Sequence, residues 1–171
     1  MPSGESGHTP GCKLKMMPAL ILIFLLGCVA GLRSLTAPLV VSWAAHFGWL
    51  HLAGSKLAFV NRPFTLIVVS LLALVELVVD KLPQTPARTA PIGLIARSFL
   101  GGACGLALAI STRTSPQLGV LVATIGAIFG AFAGYQARHV LVSRLHLPDI
   151  AVALAEDAIA ITGGLLIVAH L

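Results

Sequence analysis

Residues 118–137 read LGVLVATIGAIFGAFAGYQA, a stretch without a single charged side chain. Its length matches the roughly 20 residues that an α-helix needs to cross the hydrocarbon core of a bilayer. Gly126, Gly130 and Gly134 recur within it at every fourth position, and Arg138 continues the series. Residues four apart share one helix face. Small residues on such a face let two backbones approach closely in lipid, where van der Waals packing takes over from the hydrophobic effect. The stretch therefore predicts a membrane-spanning helix packed through glycine.

Working outward, the same reading applies to Pro18–Leu32, Phe64–Val79, Ile92–Ile110 and Ile150–Ala169. Of the 171 residues, 57% are hydrophobic and 10% charged, with a mean hydropathy of +0.98. A soluble domain carries about 25% charged residues, so a soluble enzyme, a nucleic-acid-binding module and a disordered chain are excluded. The net charge of +5 is then read as topology, because bases flanking spans set orientation, and no nucleic acid is expected as a partner. The chain has no P-loop, no G-x-S-x-G elbow and no H-x-x-x-H pair, which gives no grounds for an enzyme. Cys12, Cys28 and Cys104 lack metal-ligand spacing, so neither metal nor cofactor is implied.

Residues 1–17 are read as a polar, disordered tail, with Met16 and Met17 as alternative starts, and residues 18–171 as a single polytopic membrane domain. Leu25-Leu26-Gly27-Cys28 has the look of a lipoprotein cleavage box. The apolar pattern continues past it and more spans follow, which favours an uncleaved first helix. The stretch Leu35–Ala53 is ambiguous, because Pro38, Trp43, His46, Trp49 and His51 suit the headgroup level. Five spans put Lys13, Lys15, Lys81, Arg88, Arg138 and Arg144 on one side, against Lys56, Arg62 and Arg113. Six spans divide the bases almost evenly. The expectation is therefore all-α with about five transmembrane helices, Leu35–Ala53 being interfacial or re-entrant. The N-terminus is placed in the cytoplasm and the C-terminus outside, in the inner (cytoplasmic) membrane.

Gly27-Cys28-Val29-Ala30-Gly31 has an echo in Gly130-Ala131-Phe132-Ala133-Gly134, each followed by an arginine and then by a span with acids. In a five-span layout these copies belong to spans one–two and four–five and run antiparallel. Inverted repeats of that kind build many secondary transporters. Gly101 and Gly105 give the third span a stripe of its own, continuing Gly93 and Arg97. Packing alone explains such stripes; the arginines on them add a functional reading.

The acids are the most informative residues. Glu76, Asp80, Glu156 and Asp157 fall inside or at the edge of apolar runs, where a carboxylate costs about 2.5–3.5 kcal/mol on insertion scales. Glu76 and Asp80 are one turn apart on one face, whereas the adjacent Glu156 and Asp157 diverge by about 100°. Two readings stand. In one, these carboxylates bind an ion or exchange protons during transport. In the other, they neutralise Arg33, Arg97 and Arg138, together with Lys81, and hold helix register.

Gly31-Leu32-Arg33-Ser34, the block Glu76-Leu77-Val78-Val79-Asp80-Lys81-Leu82-Pro83 and the pair Glu156-Asp157 resemble the bacterial membrane proteins of domain-of-unknown-function family 4126. The resemblance runs from about Gly27 onward. It implies a small polytopic membrane protein and supplies no activity. The residues themselves favour a transporter or channel for an ion or small solute, embedded in the bilayer as a homo-oligomer. The alternative is a structural or assembly protein whose charge pairs only hold the bundle.

Overall fold

The computed structural model describes residues 10–52, 57–79, 91–144 and 148–170, with side chains from Met17 onward. Among these described residues six α-helices follow in order: α1 Pro10–Leu32, α2 Thr36–His46, α3 Pro63–Val79, α4 Pro91–Ser111, α5 Pro116–Ser143 and α6 Asp149–Ala169. A single 3-10 turn, Ala58–Asn61, precedes α3. There is no strand among the described residues. Proline opens α3, α4 and α5, the position where its missing N–H is not needed and its fixed φ suits the helix. Helices α4, α5 and α6 are long and apolar enough to cross a membrane. The molecule is a membrane-embedded helical protein.

α1 begins at Pro10, inside the stretch read as a polar tail, and it runs unbroken through Cys28 to Leu32. It packs with α4 and α5 into a three-helix centre whose contacts are glycine against backbone. A Cβ at Gly27 would strike the carbonyl of Ala123, and one at Gly31 the carbonyl of Ala127. From the other side, Gly126 lies on the carbonyl of Phe24 and Gly130 on that of Cys28. Gly105 of α4 meets Gly119 of α5, and Gly101 faces the Cβ of Ala127, which would lie 2.8 Å from an added Cβ. Gly134 is buried on α5 as well. Cys104 is buried, and the free thiol of Cys28 is partly so.

These pairings also fix direction. Residue numbers on α1 and α5 rise together, from Gly27 beside Ala123 to Gly31 beside Ala127, so the two helices are parallel. α4 is antiparallel to α5, since Gly101 meets Ala127 while Gly105 meets Gly119. α6 is antiparallel to α1, because Gly164 packs on Val29 while the earlier residue Asp157 meets Arg33. The copies Gly27–Gly31 and Gly130–Gly134 therefore run in the same direction, not in the antiparallel relation expected of an inverted repeat.

The reason is α2. Its start lies beside Glu76 near the end of α3, Val40 packs on Gly164, and the backbone N–H of His51 beyond its end donates to the hydroxyl of Ser111 at the end of α4. The segment Leu35–Leu52 thus travels back along α1 from one end of the bundle to the other, adding a reversal that five spans lack. Seven of the eleven residues of α2 are buried, among them Thr36, Val40 and Ala44. The helix closes at Gly48, where φ is +77°. Gly48 and Trp49 donate back to the carbonyls of Ala45 and Ala44, the glycine-terminated cap that satisfies the last carbonyls of a helix.

Candidate functional site

The charged side chains gather toward one end of the bundle, where α1 and α3 finish and α4 and α6 begin. Arg33 is the first residue after α1, and Asp157 sits eight residues into α6. Nε of Arg33 lies 2.7 Å from Oδ1 of Asp157, and the two side chains are only 3% and 7% exposed. The neighbours of Asp157 on its face, Ala153, Ala160 and Gly164, are buried too. That face is smooth enough to bring α6 against α1, where the carboxylate meets the guanidinium.

Arg97 is buried on α4, one turn before Gly101. Glu156 is partly buried beside Asp157, and both Arg97 and Glu156 are engaged in polar interactions. Glu76 meets a different kind of partner. Its Oε1 accepts the backbone N–H of Ser34 at 2.9 Å and the Ser34 hydroxyl. Its Oε2 accepts the N–H of Leu35 at 2.9 Å. The carboxylate thus caps the start of α2, where unsatisfied amides and the helix dipole favour a negative charge.

Arg138, placed by its spacing on the glycine stripe, reaches Asp149 in a bidentate pair of 2.9 and 2.7 Å. That pair ties α5 to the first residue of α6 at the surface, apart from the buried charges. Asp149 is the first residue of α6, and nothing in the spacing of Arg138 points to it as a partner. Asp80 and Lys81 lie outside the described residues. Among the described residues no cluster of His, Cys, Asp and Glu has the composition to hold a metal ion.

The structure thus brings together Arg33 and Asp157 from the two ends of the chain, and separates Arg138 from them. The model of the family described as "Domain of unknown function (DUF4126)" matches residues 20–170. The chain belongs to the DUF4126 family. That match takes in α1 from residue 20 onward, α2 to α6 and the buried charges of the described residues, so the site lies in the family's own domain. No curated protein and no solved structure matches the chain.

Proposed function

We propose that this DUF4126 protein carries an ion or small solute across the membrane, with Asp157 exchanging a proton or cation and Arg33 as its counter-charge. The observation that carries this reading is the depth of the pair: 2.7 Å between charges whose side chains are 3% and 7% exposed. Removing two charges from water costs several kcal/mol per ion, on the order of what their attraction returns, and a well-packed apolar pair often holds helices as well. Net stability alone therefore gives no reason for the pair. Ionisable groups within membrane helices mark ion pathways and proton relays. Glu156 and Arg97 supply further charge on the same stretch of the bundle, and a solute that displaces one partner finds the other waiting.

In this proposal the chain makes six traverses, α2 and its following turn forming the second. The ends of α1 and α6 away from Arg33 then lie on one side, which is cytoplasmic if the N-terminus is, and the membrane is the inner (cytoplasmic) one. Five spans and an inverted repeat give way to this layout because α1 and α5 are parallel. The protein acts as a carrier or channel rather than an enzyme. Ile92, Ile95 and Phe99 are exposed along α4. Ile95 and Phe99 line a groove of about 650 Å³ with Gly102, Leu106 and Thr124, a surface for lipid or for another copy in a homo-oligomer.

A second reading, a structural protein held by its charges, is favoured by Glu76, whose two oxygens are both occupied by donors near the start of α2. Proton flux into liposomes containing the purified protein and a trapped pH dye separates the two. Transport predicts flux above protein-free liposomes that disappears in Asp157→Asn per unit of folded protein. Equal flux from both proteins contradicts it.

A further inference from the structure

We infer that Glu76 is a proton-sensitive latch that fixes the start of α2 against α3. α2 has no cap of its own: the residue at its N-cap position is Leu35, and no side chain there bonds the helix amides. The cap comes instead from another helix, through the amides of Ser34 and Leu35 and the hydroxyl of Ser34. An 11-residue helix is marginal by itself, and within a bilayer no water stands ready to replace a lost partner. The latch therefore governs whether this end of α2 stays in place.

Glu76 is the one titratable group that α3 and the 3-10 turn bring to that joint. Helix α2 also packs against α1, α4 and α6, which carry Arg33, Arg97, Glu156 and Asp157 toward the same end. Among the described residues, α3 packs against α2 and the 3-10 turn Ala58–Asn61. The 3-10 turn carries no titratable side chain, and the only one on α2, His46, is at its far end. Arg33 precedes Ser34 directly, and its guanidinium faces Asp157 of α6. Glu76 is the only charged residue of α3. Protonation removes the negative charge that the helix end addresses. It also turns an accepting oxygen into a donor facing donors. The start of α2 then loses its cap and is released from α3.

The chain reports this movement itself, because its two tryptophans, Trp43 and Trp49, lie on α2 and just after it. The Trp43 ring meets His46 edge-on at 6.1 Å, so the measurement uses a His46→Phe, His51→Asn background to remove imidazole titration. The protein is placed in phosphatidylcholine nanodiscs and its tryptophan emission is followed from about pH 8 to about pH 3, a span that extends below the ordinary carboxyl range. The latch predicts a reversible shift in emission that is absent in Glu76→Gln, whose spectrum at the high end already matches the acid form. No shift with Glu76 intact, or the same shift in Glu76→Gln, overturns it. Hydrogen exchange on the unmutated protein serves if the Gln variant fails to fold. Corrected for intrinsic rates, exchange at Ser34–Val40 should rise at least about tenfold on acidification relative to Ala123–Ala131, as a local opening requires. An unchanged ratio overturns the latch. Neither readout measures flux, so this inference stands or falls apart from the transport reading.

Discussion

Arg33 and Asp157 meet at 2.7 Å across the α1–α6 contact with almost no exposure, whereas Arg138 and Asp149 meet at the same distance with their side chains 24% and 60% exposed. The same chemistry thus occurs in two settings, and the physics assigns them different weights. The exposed pair is screened and costs side-chain freedom to hold. The buried pair has no solvent to fall back on when one partner is lost.

Replacing Arg138 by alanine should therefore lower thermal stability in detergent by less than about 1 kcal/mol, and the loss should shrink further at high salt. Asp157→Asn should cost more, roughly 3–5 kcal/mol, because it leaves a buried guanidinium without its counter-charge. Unfolding curves for the two variants, run at low and high salt, check the ordering.

The glycine contacts predict a sharp difference between neighbouring positions of α5. A side chain at Gly130 would enter the backbone of Cys28, whereas Ile125 is half exposed toward the outside of the bundle. Gly130→Leu should lose about 3 kcal/mol or more, the upper end for overpacking, and Ile125→Leu should be close to neutral. Melting temperature and yield of folded protein measure both.

The parallel course of α1 and α5 predicts that the two ends of the chain share a side. Reporter tags fused before Met1 and after Leu171 should be accessible in the same compartment of intact cells. Tags found in opposite compartments would restore the five-span layout.

Truncating Glu76 to alanine strips the start of α2 of its acceptors. The variant should be destabilised by about 1–3 kcal/mol, the usual cost of leaving buried donors without partners. Its tryptophan emission should change more than that of Arg138→Ala, because Trp43 lies on the helix that is released.

Much of this architecture was legible in the residues. Apolar runs located α3, α4 and α6 to within one position and α5 except for its first two and last six residues, and the spacing of Gly126 and Gly130 identified the face that meets α1. Direction was not legible, because it hinges on α2. At 11 residues, α2 is shorter than a span, and Pro38, Trp43 and His46 give it the character of an interface. Only its burial against α6 and the bond from His51 to Ser111 reveal a traverse. Glu76 lies in α3 and Glu156 and Asp157 in α6, but their partners are tertiary facts. Glu76 was read as facing an ion or an arginine and instead meets backbone amides on a neighbouring element. Arg138 was grouped with the intramembrane acids, yet it pairs with Asp149, the surface residue that opens α6. Spacing shows which residues share a face, and it says nothing of what lies opposite.

The most direct test of the transport reading removes the buried pair without leaving a charge behind. Arg33→Met combined with Asp157→Leu replaces the pair by apolar side chains, a change that should leave the bundle about as stable as before, within roughly 1–2 kcal/mol either way. Proton flux into liposomes should nevertheless be lost from this folded double variant. A double variant with wild-type stability and wild-type flux would contradict the account.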